Sequence, residues 1–139
     1  HKEWKALYKD KINLLTGIEL GLQPHIGKEL SEILSFGDFD FVIGSAHVCD
    51  KVDPYFPEYW KDKTEYEGTY RYFEYILECI NAFDDFDVFG HVDYIVRYGP
   101  TKAENYSYQK YQEMKASNLA EATSLSYNET RIVLFCKEE

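Results

Sequence analysis

The sequence predicts an α/β protein built on a parallel sheet, and three observations carry that prediction. Short apolar runs at residues 14–20, 39–43 and 86–89 alternate with segments of helical periodicity, as βαβ units require. Each run ends near a glycine (Gly17, Gly44 and Gly90) that is followed within three residues by Glu or His. Hydrophobic residues make up 45% of the chain and charged residues 29%, so it can bury a core. The 139 residues amount to one domain at most, and they fall well short of the roughly 250 that a complete eight-stranded (β/α) barrel takes. The first residue is His1 rather than Met, which leads us to expect a fragment or a processed chain, with a fragment favoured.

Residues 2–12 place Trp4, Leu7, Tyr8 and Ile12 at helical spacing and predict an amphipathic helix that ends near Asn13. The run 14–20 is short enough for a buried strand, and the stretch from Gly21 to Gly27, with Pro24, reads as a turn. Residues 28–35 predict a short helix on Leu30, Ile33 and Leu34, and the second strand, 39–43, leads into Gly44-Ser45-Ala46-His47. A loop rich in Pro and aromatics covers residues 49–60. The clearest helix follows, with Tyr66, Tyr70, Phe73, Ile76, Leu77, Ile80 and Phe83 in one apolar stripe and Glu65, Glu67, Glu74 and Glu78 largely outside it. The third strand, 86–89, leads into Gly90-His91-Val92-Asp93; residues 103–117 again look helical, and 131–135 is strand-like. A parallel sheet of this kind is expected to be buried on both faces.

Twenty-five acidic against 15 basic residues give a net charge of −10, which opposes broad binding to nucleic acid or to an anionic membrane surface. Bound cations would reverse the local sign and admit a small anionic substrate. No stretch approaches the roughly 18 apolar residues of a membrane span, and the first residues lack the apolar core of a signal peptide, so a cytoplasmic protein is expected. Cys49, Cys79 and Cys136 are odd in number and lack CxxC spacing, which argues against disulfides and thiolate zinc sites and for buried free thiols.

Glu19, His47 and His91 follow the three strand glycines, and in parallel α/β folds the C-terminal strand ends converge on one face. Carboxylate plus imidazole suits zinc, manganese or iron better than calcium or magnesium. Each histidine has an alternative as a hydrogen-bonded structural residue, whereas a carboxylate within an apolar strand needs a partner for its charge. Asp93 reads as a ligand, a helix cap or, first in rank, an acceptor behind His91. Cys49 is expected to be a small buried hydrophobe, and His1 and His25 to be solvated.

Over residues 1–113 these segments resemble the histidinol-phosphatase branch of the PHP (polymerase and histidinol phosphatase) superfamily. The resemblance lies in Gly17-Ile18-Glu19-Leu20-Gly21, in the Gly-Ser-x-His and Gly-His-x-Asp-Tyr segments that contain His47 and His91, in Asp53-Pro54-Tyr55 and in Arg97-Tyr98-Gly99-Pro100. It implies a distorted seven-stranded (β/α) barrel, here partial and incomplete at both ends, with residues 114–139 a divergent tail. It further implies two or three divalent metal ions per complete site, with Glu19 shared between metals, His47 and His91 binding one each, and Arg97 holding the substrate phosphate. The family's opening His-x-His and late Asp-x-His segments would lie outside residues 1–113 and complete the metal site. The implied reaction is metal-assisted hydrolysis of L-histidinol phosphate in histidine biosynthesis. A PHP-type esterase for another small phosphate ester, or a non-catalytic remnant that self-associates through exposed barrel edges, are the alternatives.

Overall fold

In the computed structural model, residues 2–101 are described; the helix expected at 103–117, the strand at 131–135, Cys136, His1 and the tail 114–139 lie outside them. The elements run α1 (Lys2–Tyr8), β1 (Gly17–Gly21), α2 (Gly27–Ser35), β2 (Phe41–Ser45), α3 (Pro57–Trp60), α4 (Glu65–Ala82) and β3 (Val88–Phe89), followed by a 3₁₀ turn at Tyr94–Arg97. The strands form a parallel sheet in the order β1-β2-β3. Each new strand is thus added on the same side of its predecessor. Among the described residues no helix is long and apolar enough to cross a membrane.

Two of the three strands start about two residues later than their apolar runs suggest, and a recurring aspartate explains why. Asp40 donates its N–H to the Thr16 carbonyl at 2.7 Å while its Oδ2 accepts the Thr16 N–H at 2.7 Å. Asp87 repeats the arrangement on Val42, with 2.9 Å to the carbonyl and 2.7 Å from the N–H. A side chain therefore stands in for the first rung of each ladder, and regular pairing begins one residue later at Gly17↔Phe41 and near Ile43↔Val88. The parent segments, Asp38-Phe39-Asp40-Phe41 and Asp85-Phe86-Asp87-Val88, are alike in sequence as well as in role. Lys5 pairs with Asp40 at 2.6 Å and ties α1 to this edge.

Helix α4 begins with a capping box: the Thr64 hydroxyl accepts the Glu67 N–H at 3.2 Å, and the Glu67 carboxylate accepts the Thr64 N–H at 2.8 Å. Its buried face carries Tyr72, Phe73, Tyr75, Ile76, Cys79 and Ile80, whereas Tyr66 and Tyr70 are exposed. The expected stripe is thus rotated by about one position. Tyr72, absent from the expected stripe, is wholly buried, and its hydroxyl donates to the Ala46 carbonyl at 2.6 Å. Tyr59, Tyr72, Phe89, Leu22, Ile76 and Ile95 are the largest fully buried side chains.

Three further expectations are corrected. Helix α1 stops at Tyr8, where the N–H groups of Lys11 and Ile12 fold back onto the Tyr8 carbonyl, and Trp4, Leu7 and Ile12 are exposed because no described element covers them. Strand β1 is not buried on both faces: it alternates, with Leu20 inside and Glu19 outside. The loop at 49–60 contains α3 and begins with a tight turn in which Asp50 and Lys51 both take positive φ, 50° and 69°, closed by mutual backbone bonds between Cys49 and Val52. Arg71 braces that turn, gripping Asp50 through two nitrogens at 2.6 and 2.8 Å and Glu78 at 2.6 Å. Cys49 and Cys79 are buried free thiols, pushed up by burial to about 11 and about 12, in keeping with a packing role.

Candidate metal centre

Glu19 lies on β1, level with Ile43 of β2, while His47 stands two residues beyond the end of β2 and His91 two beyond β3. The continuing ladder keeps these ends level: Leu22 donates to the Ser45 carbonyl at 2.7 Å and Gly90 to the Gly44 carbonyl at 2.8 Å. The glycines are dictated by this close approach. A Cβ at Gly90 would lie 2.7 Å from the Ser45 hydroxyl and 2.9 Å from Ile43 Cγ2; one at Gly44 would meet Leu22 and Phe86 at 2.9 and 3.0 Å. Immediately after Gly90 the backbone of His91 takes φ 30°, a strained value for a non-glycine residue, and this turns the ring toward the other two strands.

The three side chains meet. His47 Nε2 is 3.3 Å from His91 Nε2, His91 Nε2 is 3.2 Å from Glu19 Oε1, and His47 Nε2 is 3.4 Å from the same oxygen. Two ligand atoms on a tetrahedral zinc ion with bonds of about 2.0–2.1 Å stand roughly 3.3–3.4 Å apart, so this nearly equilateral triangle has the spacing of ligands that share one ion. The donor set, one carboxylate and two imidazoles, is of the right chemistry as well. The side chains of Glu19, His47 and His91 are 45%, 38% and 29% exposed, leaving the triangle open to solute. Partial burial pushes the Glu19 carboxyl upward, but the neighbouring Ser45 hydroxyl and the His91 and His47 rings outweigh it and hold the group below the usual carboxylate range. Glu19 is therefore an anion at neutral pH.

Asp93 does not take its first-ranked position behind His91. The buried Nδ1 of His91 has no hydrogen-bond partner among the described residues; Asp93 turns with φ −94° and ψ 14° into the 3₁₀ turn, where its carbonyl accepts the Val96 N–H. Nor does its side chain cap that turn. Arg97 closes the same turn, exposed and without an ion pair among the described residues. His25 is exposed and Cys49 fully buried, as expected.

Sequence reasoning passed over Tyr94 and Asp53. The Tyr94 ring lies 5.1 Å from that of His47 and 5.7 Å from that of His91, and its hydroxyl donates to Asp53 Oδ1 at 3.1 Å. The available signals were the position of Tyr94 three residues after His91 and the turn-forming Asp53-Pro54-Tyr55, in which Asp53 Oδ1 also accepts the Tyr55 N–H at 2.8 Å.

A family model described as the PHP domain matches residues 1–129 of the chain. The chain is 30% identical over 111 residues to a histidinol-phosphatase of Lactococcus lactis, a match covering 79% of this chain and 41% of that protein. It is 29% identical over 112 residues to a probable histidinol-phosphatase of Clostridium acetobutylicum, covering 81% and 43% respectively. Among solved structures it is similar to the crystal structure of histidinol phosphate phosphatase from Lactococcus lactis complexed with zinc, L-histidinol and phosphate, with a TM-score of 0.76 and 28% identity. That similarity covers 89% of this chain and 47% of the other. The chain thus spans less than half the length of these relatives.

Proposed function

The chain belongs to the PHP domain family, and we propose that Glu19, His47 and His91 are its share of a metal centre that hydrolyses a small phosphate monoester, L-histidinol phosphate. The observation that carries this reading is the triangle of donor atoms with edges of 3.2, 3.3 and 3.4 Å, assembled from three separate strand ends. Similarity to the zinc-bound phosphatase supports the choice of metal and substrate class. When bound, a divalent cation at such a site lowers the pKa of water and offsets the charge of phosphoryl oxygens. Glu19, an anion at neutral pH, supplies negative charge to the centre and is the ligand to be shared if two or three ions (zinc, manganese or iron) assemble. His47 and His91 offer Nε2 lone pairs from the opposite side of the triangle. Arg97, exposed and unpaired among the described residues, is the residue we assign to the substrate phosphate, two of whose oxygens a planar guanidinium can hold at once. The role proposed for the whole protein is a step of histidine biosynthesis in the cytoplasm.

A second reading, in which this chain binds metal but does not turn over, is favoured by its coverage of only 41–47% of the related proteins. Both are tested on the longest polypeptide that the gene encodes, by measuring bound zinc and phosphate release from L-histidinol phosphate against a panel of other phosphate esters. His47→Ala and His91→Ala should lower zinc content and rate together. Zinc bound without turnover supports the second reading; variants that keep both zinc and rate overturn the ligand assignment.

A further inference from the structure

A histidine that binds metal through one ring nitrogen ordinarily donates the other to a carboxylate, carbonyl or water, and that second bond sets the direction of the ring. His91 departs from this. Its Nε2 faces Glu19 and His47, yet its Nδ1 is buried with no partner among the described residues. The orientation of the ring must come from somewhere else, and the backbone alone supplies a strained φ of 30°.

Two rings lie against it, that of His47 at 4.9 Å and that of Tyr94. Tyr94 packs at 5.7 Å from His91 and at 5.1 Å, edge to face, from His47, so one side chain contacts both imidazoles. The other side of Tyr94 is backed by Tyr72, stacked at 6.5 Å, and by Tyr98 at 5.0 Å. Tyr72 is itself pinned to the carbonyl of Ala46, the residue before His47, at 2.6 Å. At its base the Tyr94 N–H donates to the His91 carbonyl at 2.9 Å, and at its tip the hydroxyl donates to Asp53 Oδ1 at 3.1 Å. Asp53 is not free to follow the tyrosine, because the same oxygen accepts the Tyr55 N–H and its carbonyl accepts the Phe56 N–H at 2.9 Å. A ring held at both ends and backed by two other rings is a rigid wedge.

We propose that Tyr94, tethered by Asp53, is a positioning residue that holds the His47 and His91 rings where both Nε2 atoms meet Glu19, replacing the hydrogen bond that His91 Nδ1 lacks. The proposal rests on the metal reading of Glu19, His47 and His91. Its consequence is that the hydroxyl of a tyrosine that binds no ion controls how tightly the ion is held.

The test uses the longest polypeptide that the gene encodes with zinc alone, its affinity measured by competition with a chromophoric chelator, and with cobalt(II), whose visible absorption reports ligand geometry. Tyr94→Phe keeps the ring and cuts the tether; zinc should bind about tenfold more weakly, with an altered cobalt spectrum. Asp53→Ala should match it. Asp53→Asn keeps an acceptor oxygen and should rescue affinity to within about threefold of wild type, which a simple packing role for residue 53 would not require. Tyr94→Leu, which also removes the ring, should lose more than Tyr94→Phe; if circular dichroism shows that it unfolds, the Phe and Asp53 variants decide. Zinc affinity within twofold of wild type for Tyr94→Phe and Asp53→Ala, with superimposable cobalt spectra, overturns the proposal. If those variants keep zinc while His47→Ala loses it, the wedge alone fails. If wild type binds no zinc, or His47→Ala binds it as tightly, the metal reading fails and takes the wedge with it.

Discussion

Replacing Gly90 by Ala should damage the metal triangle without touching any of its three ligands. The added Cβ would stand 2.7 Å from the Ser45 hydroxyl and 2.9 Å from Ile43 Cγ2, where ordinary contacts begin near 3.4 Å. Neither obstacle is the far end of a flexible side chain: Ser45 is fully buried, and Cγ2 sits on the β-branch of Ile43. The end of β3 must therefore withdraw from β2 by several tenths of an ångström, carrying His91 with it. Metal–ligand distances tolerate only about 0.2 Å, and the His91 edges of the triangle are 3.2 and 3.3 Å. Overpacking of this kind costs about 1–3 kcal/mol of stability, and zinc affinity should fall at least tenfold. Ser45→Ala removes the nearer obstacle, though it also withdraws a hydroxyl that helps hold the Glu19 carboxyl low. The double variant should then recover part of both losses, but not all, since Ile43 Cγ2 remains. Urea unfolding and zinc titration of the four proteins in the cycle measure the effect. A Gly90→Ala protein with the wild-type unfolding midpoint and zinc affinity would refute the reasoning.

Two further outcomes follow from the same sheet and the turn beside it. Asp87→Ala leaves the Val42 N–H without its 2.7 Å acceptor and should cost about 1 kcal/mol in urea unfolding, with Asp87→Asn milder because an acceptor oxygen remains. The Asp50 carboxyl is held below its ordinary value by its bond to the Arg71 guanidinium. A depressed carboxyl stabilises the fold above its unfolded pKa, about 3.9, and that contribution is lost as pH falls through the lower folded value. Asp50→Asn should thus be less stable than wild type at about pH 7–8 and converge on it below about pH 4, flattening the acid limb; an unchanged acid limb in thermal unfolding would show that the pair contributes nothing.

Much of this arrangement is legible in the sequence because it depends on local pattern. Strand, glycine and ligand recur three times, and the capping pair Thr64 and Glu67 marks the start of α4. Other parts are not local. That Asp40 and Asp87 delay their strands depends on what a side chain finds on the neighbouring strand 24 and 45 residues away. Tyr72 falls outside the expected stripe, yet it is buried with its hydroxyl on the Ala46 carbonyl, a partner 26 residues distant. Asp93 was the natural acceptor for His91 by proximity in sequence, but a strained φ at His91 and the 3₁₀ turn that follows give the ring a neighbour three residues on instead. Backbone conformations of that kind leave no composition signal at a histidine.

The donor triangle and the sheet register are the same fact viewed at two scales. Glu19, His47 and His91 belong to three strands, and among the described residues no hydrogen bond from His91 Nδ1 corrects an error in where β3 sits. A slip of one residue moves a strand by about 3.3 Å and turns its side chains to the opposite face. That distance equals an edge of the triangle, so a slip does not weaken the site by degrees; it removes a corner. Register must therefore be fixed by groups outside the triangle. Asp40 and Asp87 fix it where the strands begin, and Gly44 and Gly90, by permitting close approach, fix it where they end. In a chain of net charge −10, where Glu19 alone would repel a phosphate, the proposed function requires the two imidazoles to converge on that carboxylate, because a cation held there would offset the charge. On that proposal the residues that keep strands in register are as necessary as the three donors.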